Sequence, residues 1–183
     1  MRIIAGKWGG RKIKPPQSKN TRPTGDRVKE SCFSIIGSEL EDSHVLDLFA
    51  GTGNLGLEAI SRGARHSTFV EKSAQAADNV RANIKSLGAE DQCTLLKMDA
   101  LSFLKKPNRQ TDFDLVFLDP PYLKIDIPLT LSAIANSVHF SKNALIVLEH
   151  PSKQQFDPKR CALAQIDTRR YGDTSLTFYR KET

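Results

Sequence analysis

The chain has 183 residues, of which 39% are hydrophobic and 26% are charged, a balance that favours one globular domain with a hydrophobic core. Its longest apolar runs have only the length of strands, which argues against a membrane span, and its first residues lack the hydrophobic region of a signal peptide. Three cysteines without a C-x-x-C pair and four histidines without metal-ligand spacing predict reduced thiols in a cytoplasmic protein and no bound metal.

Positive charge is concentrated at the amino terminus, in a segment that we call the basic arm (residues 1–29). The arm holds nine basic side chains and one acidic one, a charge of +8, whereas the rest of the chain holds eighteen basic and twenty acidic ones, a charge of −2. Such an arm binds nucleic-acid phosphates if it lies on one face of the protein. The alternative is a solvated tail, but the interleaved Ile3, Trp8 and Ile13 predict a segment that packs on a surface.

The predicted elements begin with a small hairpin over residues 1–14, followed by a polar linker over 15–20. A helix is then predicted from about Asp26 to Leu40, with Thr24 or Asp26 as its cap. The apolar positions of this helix recur at helical spacing and are Val28, Cys32, Ile35, Ile36 and Leu40.

From residue 44 onward, strands alternate with helices, which is typical of a mainly parallel sheet covered by helices. Strands are predicted at 44–49, 66–71, 93–98, 114–118, 144–149, 161–169 and 174–180, and helices at 54–62, 73–87 and 126–138, with a short one near 100–105. The last two strands, joined by Tyr171, Gly172 and Asp173, are expected to pair antiparallel at the end of the sheet. The prediction is a seven-stranded α/β fold without an internal repeat or a second domain.

A glycine-rich turn follows the first predicted strand and opens a helix. Gly51, Gly53 and Gly56 form the pattern G-x-G-x-x-G, and Glu71 lies twenty residues after Gly51, at the end of the next strand. This arrangement binds ligands that carry adenosine, because the glycines allow close approach and the acid binds the ribose hydroxyls. NAD is one such ligand and S-adenosylmethionine is another.

Asp47 favours the second ligand. It ends the first strand just before the glycine turn, where a pyrophosphate prefers amides and positive potential, whereas S-adenosylmethionine carries a sulfonium and an ammonium group that a carboxylate attracts. Asp99 ends the third strand beside the same crevice and is a candidate for binding the adenine amine. Glu71 or Asp99 alone is also explained as a helix cap, but three acids that end successive strands favour a binding site.

The motif Asp119-Pro120-Pro121-Tyr122 follows the apolar run 115–118, which predicts a short buried strand ended by two prolines. Asp119 is therefore held just beyond the carboxyl end of a strand, where open α/β sheets bind ligands, and Tyr122 supplies an aromatic face. An acceptor beside a stacking surface suits a planar amine such as that of a nucleobase. The alternative is a Pro-Pro turn with an aspartate cap and a rim tyrosine.

The sequence D-L-F-A-G-T-G at residues 47–53, together with D-P-P-Y, resembles the class I S-adenosylmethionine-dependent amino-methyltransferases. The segments R-I-I-A-G-K-W at 2–8, R-P-T-G-D-R-V-K-E-S at 22–31 and Y-G-D-T at 171–174 resemble the RsmD family, whose members methylate N2 of a guanine in small-subunit (16S) ribosomal RNA. The resemblance covers essentially the whole chain. D-P-P-Y is specific only to amine methylation, whereas the amino-terminal segments are specific to the family.

The resemblance implies a Rossmann-like class I methyltransferase fold in one domain, with residues 44–183 as the catalytic core and residues 1–29 as an RNA-binding extension. It also implies S-adenosylmethionine as the cofactor and 16S ribosomal RNA, the small ribosomal subunit or an assembly intermediate as the partner. The protein is expected to be a monomer, and the implied target is guanine 966. Gly25 replaces a threonine that is common in the family, which weakens the predicted helix cap.

Roles for single residues follow from the same resemblance. The implied cofactor-binding residues are Asp47, Gly51, Thr52 and Gly53 at the methionine end, Glu71 at the ribose, and Asp99 and Ala100 at the adenine. The implied catalytic residues are Asp119 and the carbonyl group of Pro120, which would hold the target amine, and Tyr122, which would stack on the base. The candidate RNA-binding residues of the arm are Lys7, Arg11, Lys12, Lys14 and Arg22.

Three other functions remain open at this point. A DNA adenine-N6 methyltransferase would have the same D-P-P-Y loop, and only the basic amino-terminal segments argue against it. A NAD-dependent oxidoreductase is favoured by the glycine pattern and opposed by D-P-P-Y. A non-catalytic RNA-binding ribosome assembly factor is favoured by the basic arm.

Overall fold

Seven strands form one sheet in the computed structural model, which describes residues 1–16, 25–107, 112–121, 125–154, 156 and 163–181. The strands are β1 (His44–Asp47), β2 (His66–Glu71), β3 (Cys93–Lys97), β4 (Phe113–Leu118), β5 (Phe140–Pro151), β6 (Leu163–Tyr171) and β7 (Thr174–Lys181). The helices in the described ranges are α1 (Asp26–Ile36), α2 (Asn54–Ser61), α3 (Ala74–Leu87), α4 (Ala100–Leu104) and α5 (Ile127–Ala135). This alternation confirms the predicted α/β fold.

The strand order is β3-β2-β1-β4-β5-β7-β6. The first five strands in this order are parallel, whereas β7 runs antiparallel to both β5 and β6, as predicted for the last two strands. The order reverses between β1 and β4, so the switch point at which open α/β sheets bind ligands lies there. We call the edge at which the parallel strands end the carboxyl edge.

Helices cover both faces of the sheet because successive strand residues point to opposite sides. On one face, Val45 and Phe117 pack in a core that includes buried residues of α1, α2 and α3. On the other face, Leu46 and Leu118 pack in a second core with α4 and α5. Asp47 follows Val45 by two residues, and Asp119 follows Phe117 by two residues. Both aspartate side chains are therefore expected on the face that α2 covers, at the carboxyl edge.

Residues 1–16 of the basic arm pack against α2 and α3, as their apolar residues predict. Ile3, Trp8 and Ile13 are buried in the first core, and the predicted hairpin is formed by one bridge, between Arg2 and Lys12, with backbone hydrogen bonds on either side of it. The predicted turn contains a short 3-10 segment over Gly6–Trp8 that lies against the end of α2. A Cβ at Gly6 would lie 1.8 Å from the carbonyl oxygen of Ser61, so the approach requires glycine.

Hydrogen bonds from α2 hold the main chain of the arm. The amides of Ile4 and Ala5 donate to the carboxylate of Glu58, at 2.8 and 3.0 Å. Ser61 Oγ accepts from the amide of Trp8 at 3.0 Å and donates to the carbonyl of Ala5 at 2.6 Å. Residues 1–16 are therefore attached to α2 by polar contacts as well as by apolar packing.

Helix α1 begins at Asp26, as predicted, but its end and its cap differ from the prediction. It ends at Ile36 because Gly37 adopts a positive φ of 58°, and residues 37–40 form a 3-10 turn. The predicted Asp26 cap is wrong: Gly25 holds the cap position without a side-chain hydrogen bond, and Asp26 instead accepts from Arg2 Nε at 3.0 Å. Thr24 and the linker residues 17–20 lie outside the described residues.

Two other boundaries differ from prediction. Strand β5 spans Phe140–Pro151 and is longer than predicted at both ends, whereas α5 spans only Ile127–Ala135. Only a short turn separates the two elements. Among the helices of the described ranges, none combines the length and apolar character needed to cross a bilayer.

Candidate active site

The glycine turn lies at the switch point between β1 and β4. Gly51 and Gly53 have φ values of 55° and 77°, which favour glycine. A Cβ at Gly56 would lie 2.4 Å from the Phe69 ring, so this glycine lets α2 approach β2 closely. The three glycines therefore serve the turn and the helix packing that the sequence pattern predicts.

Asp47 is a buried carboxylate beside this turn. It is 2% exposed, and its Oδ2 accepts a hydrogen bond from the amide of Gly56 at 3.1 Å. Burial raises the pKa of Asp47 to about 7, the Gly56 hydrogen bond opposes the shift, and the charges of Asp119 and Glu71 add to it. The three acids are thus close enough to interact, and their combined potential favours a cation over a pyrophosphate.

Glu71 links the end of β2 to the glycine turn. Its Oε2 accepts from the amide of Gly51 at 2.9 Å and its Oε1 accepts from the amide of Ser73 at 2.7 Å. Because both oxygens have backbone donors, the carboxylate is oriented beside the turn before any ligand binds. Carboxylate lone pairs that remain can still accept from hydroxyl groups.

Asp99 lies at the end of β3 and caps α4. Its Oδ1 accepts from the amide of Ser102 at 3.1 Å, and its Oδ2 lies 3.5 Å from Lys72 Nζ. The Ser102 hydrogen bond, with a smaller effect of Lys72, lowers the pKa of Asp99. Asp99 is therefore a helix cap, which is the alternative role that its position in the sequence suggested. Ala100 is buried in the first turn of α4.

Asp119 and Pro120 follow β4 at the same edge. Asp47 pairs in register with Phe117, so Asp119 lies two residues beyond the level of Asp47 on the neighbouring strand. Asp119 is half-buried, Pro120 is buried and Pro121 is exposed. Tyr122 lies outside the described residues, and its stacking role stays a prediction.

The candidate RNA-binding residues that the structure describes are exposed, and two of them contact the end of α3 or the segment after it. Lys7 Nζ donates to Gln92 and lies 4.4 Å from the centre of the Trp8 ring, and Arg11 donates to the carbonyl of Ser86. Ser86 is near the end of α3, about 20 Å along the helix axis from its start at the carboxyl edge. Lys12 and Lys14 are exposed, and Arg22 lies outside the described residues.

A buried ion pair, which the sequence motifs did not predict, links α1 to α2. Lys29 and Glu58 have fully buried side chains, 2.9 Å apart, and Lys29 also donates to the carbonyl of Arg2 at 2.7 Å and to Asn54 Oδ1 at 2.8 Å. Arg62 pairs with the same glutamate at 2.7 Å. Burial lowers the pKa of Lys29, although the contact with Glu58 opposes the shift.

Helical spacing could have indicated that Lys29 is buried, because Lys29 shares the buried face of α1 with Cys32, Phe33 and Ile36. Ile35, which the apolar spacing predicts on that face, is 38% exposed. A second missed residue is Glu149, which is 9% exposed. It lies one residue beyond the Leu118–Leu148 pair, level with Asp119.

The sheet order and the glycine turn at its switch point define the class I methyltransferase fold. A methyltransferase from Geobacter sulfurreducens shares this fold, with a TM-score of 0.69 at 15% identity over 86% of this chain and 80% of that one. The yhhF protein of Escherichia coli is more similar, with a TM-score of 0.87 at 30% identity over 100% of this chain and 98% of that one.

The family model described as "Conserved hypothetical protein 95" matches residues 1–180. The chain is 41% identical over 182 residues to ribosomal RNA small subunit methyltransferase D of Haemophilus influenzae, with 98% of this chain and 92% of the relative covered. The protein of the same name in Escherichia coli is 36% identical over 149 residues, with 81% and 74% covered. The chain therefore belongs to the family of ribosomal RNA small subunit methyltransferase D, and the resemblance to the RsmD family is confirmed.

Proposed function

We propose that this protein transfers a methyl group from S-adenosylmethionine to the exocyclic N2 amine of a guanine in 16S ribosomal RNA, with guanine 966 as the implied position. The observation that carries the proposal is the pair of Asp47 and Asp119, which end the neighbouring strands β1 and β4 on the same face. One acid is buried for a cationic cofactor, and the other is at the rim for an amine.

The described residues fit this cofactor. Asp47 has a buried carboxylate with a raised pKa, so a cationic group beside it would stabilise its charged form. Glu71 is oriented to accept from ribose hydroxyls, and we assign Asp99 and Ala100 to the adenine. The turn residues Gly51, Thr52 and Gly53 would surround the methionine end. When bound, S-adenosylmethionine supplies an electrophilic methyl group.

Asp119 and the carbonyl group of Pro120 would accept the hydrogens of the target amine. The lone pair of an exocyclic guanine amine is delocalised into the ring, and two acceptors that twist the amine return electron density to the nitrogen. Positioning and electrostatics then supply most of the rate. Asp119 need not be a strong base, because the proton can leave after the methyl group is transferred. Tyr122 would stack on the base that has left its helix.

The arm would contribute phosphate contacts through Lys7, Arg11, Lys12, Lys14 and Arg22. The distance of Arg11 from the carboxyl edge suits a folded RNA or a ribosomal particle, because such a substrate spans the protein. We further propose that the chain acts as a monomeric cytoplasmic enzyme, with residues 1–29 and 44–183 forming one methyltransferase domain.

The test is methyl transfer from labelled S-adenosylmethionine to small ribosomal subunits that lack their modifications, with the product nucleoside identified. We expect N2-methylguanosine. Label in N6-methyladenine of added DNA, with none in RNA, would show that the substrate is DNA rather than RNA. The proposed chemistry at an exocyclic amine would still hold. Cofactor binding without transfer to either substrate would support a non-catalytic RNA-binding assembly factor instead.

A further inference from the structure

A groove of about 450 Å³, lined by polar side chains together with Phe156 and Tyr179, lies on the sheet face that α5 partly covers. Three residues of its floor are almost fully buried: His150 is 5% exposed, Ser175 is 4% exposed and Thr177 is 3% exposed. Its rim is exposed and includes Gln154, Gln165 and Arg170. These buried residues lie beneath an exposed rim, and the Phe156 ring packs edge-on against His150 with 5.2 Å between ring centres, so this face of the sheet is concave.

The strand register places the groove in the same row of residues as Pro120. Arg170 pairs with Ser175, which pairs with His150 on the next strand. Leu118 pairs with Leu148, so Pro120 continues the same row two residues later. With strands about 4.8 Å apart, the backbone of Arg170 lies about 14 Å from that of Pro120. The groove can therefore bind the part of a substrate that is next to the target base.

A hydrogen-bond chain fixes the floor. His150 Nδ1 lies 3.0 Å from the carbonyl of Pro151, which can only accept, so Nδ1 carries the proton and Nε2 accepts from Thr177 Oγ1 at 2.8 Å. Thr177 in turn accepts from Thr168 at 3.0 Å. Burial lowers the pKa of His150, with an opposing effect of the Pro151 hydrogen bond. The floor is thus neutral and preorganised.

A second chain runs from Ser175 Oγ to Ser152 Oγ, at 3.0 Å, and from Ser152 Oγ to the carbonyl of Gly172, also at 3.0 Å. Arg170 Nε donates to the same carbonyl at 3.0 Å, which holds the guanidinium at the rim. Each hydroxyl oxygen still has a lone pair with which it can accept a further hydrogen bond. Acceptors on the floor suit the donor hydroxyl of a ribose, and a cation at the rim suits a phosphate.

The charge of the groove agrees with an anionic ligand. None of its described lining residues is acidic, and the nearby Asp167 is paired with Arg169 at 2.8 Å. We propose that the groove binds a ribonucleotide of the RNA substrate adjacent to the target base, with Arg170 at the phosphate and the floor hydroxyls at the ribose. The inference rests on the proposed function for the identity of the substrate.

The first test compares Arg170→Ala with Arg169→Ala, which removes the same charge from the next residue of β6, whose side chain lies on the opposite face. Binding of a short fluorescein-labelled oligoribonucleotide is measured by anisotropy over a range of salt concentrations. We expect Arg170→Ala to weaken binding about tenfold and to reduce the slope of log affinity against log salt by about 1. Equal behaviour of the two variants would overturn the proposal.

The second test uses Thr177→Val, which removes the hydroxyl that orients His150 and keeps the side-chain shape. We expect the wild-type protein to prefer the oligoribonucleotide over its deoxy counterpart, and Thr177→Val to lose that preference while Arg169→Ala keeps it. A wild-type protein without the preference, or a variant that retains it, would contradict the ribose contact.

These binding tests separate the two hypotheses because they need no methyl transfer. If the protein binds RNA through Arg170 but methylates no RNA, the groove proposal stands and the proposed function is wrong. If the Arg170→Ala variant methylates RNA with the same KM as the wild-type protein, only the groove proposal is wrong.

Discussion

Asn83 Nδ2 on α3 donates a hydrogen bond to the carbonyl oxygen of Thr52 in the glycine turn, at 2.9 Å. The same side chain accepts from the amide of Lys14 at 2.7 Å and donates to the carbonyl of Lys14 at 3.2 Å. Asn83 is fully buried. One side chain therefore holds the basic arm and the candidate cofactor turn in a fixed relation.

Replacing Asn83 by alanine is expected to destabilise the protein by about 2–3 kcal/mol, because the buried carbonyl group of Thr52 and the partly buried backbone groups of Lys14 lose a partner. The free energy of unfolding is measured with urea. Asn136→Ala is the control, since Asn136 makes one exposed hydrogen bond to the carbonyl of Ser132, and we expect it to change stability by no more than about 0.5 kcal/mol. Similar losses in both variants would show that Asn83 has no special role.

The raised pKa of Asp47 predicts that the free energy of unfolding depends on pH. Its pKa is about 7 in the folded protein against an ordinary value of 3.8, so the folded state binds more protons between these values. Its contribution to stability is fully present below pH 3.8 and is lost as the pH rises through about 7.

Asp47→Asn should therefore stabilise the ligand-free protein at pH 8 by a few kcal/mol, since one pKa unit corresponds to about 1.36 kcal/mol, and should weaken binding of S-adenosylmethionine. Melting temperatures with and without the cofactor measure both effects. The exposed Asp78→Asn is the control. A variant less stable than wild type at pH 8 would contradict this account of Asp47.

Asp119→Asn is expected to lower the rate of methyl transfer by at least about 10²-fold while leaving cofactor affinity unchanged, because the carboxylate would act on the amine rather than on the cofactor. Single-turnover transfer and calorimetric binding measure the two properties separately. Unchanged turnover would remove Asp119 from the mechanism, and a parallel loss of cofactor affinity would place it in the cofactor site instead.

Glu71→Ala is expected to weaken cofactor binding by about 1.5–3 kcal/mol, as loss of a hydrogen bond to a charged group does. Calorimetry with S-adenosylmethionine measures it. Since Glu71 also accepts from the amide of Gly51, Glu71→Gln is the comparison: it can still accept from that amide, so most of the turn geometry should survive. Unchanged affinity in Glu71→Ala would contradict the ribose role.

Neutralising Lys7, Arg11, Lys12 and Lys14 together by glutamine should weaken RNA binding and flatten its salt dependence, by about 0.7–0.9 in slope for each phosphate that the arm no longer neutralises. Affinity for the substrate RNA is measured over a range of salt concentrations. The control replaces Lys105 and Lys106, which are exposed after α4. A slope that stays the same in the arm variant would exclude the arm as an RNA-binding element.

The sheet and the acids at its carboxyl edge could be predicted because they depend on local patterns. Apolar runs of strand length alternate with helical periodicity, and Asp47, Glu71 and Asp119 each follow such a run directly. Their approach to one another follows from parallel strands that end at one edge. No long-range information is needed for this part of the site.

The packing of the arm could be predicted from its apolar residues, but its buried polar contacts could not, because their partners are distant in the sequence. The 3-10 form of the turn in the predicted hairpin depends on the close approach of Gly6 to Ser61, which no local pattern indicates. Similarly, Lys29 is buried only because Glu58 provides a carboxylate at 2.9 Å, since an unpaired buried charge is strongly unfavourable.

The attachment of the arm has a consequence for biosynthesis. Residues 1–16 leave the ribosome before Glu58 and Asn83, which bind their main chain. Until α2 and α3 have been made, this segment lacks the helices against which it packs in the folded protein. Its attachment is therefore delayed relative to its synthesis.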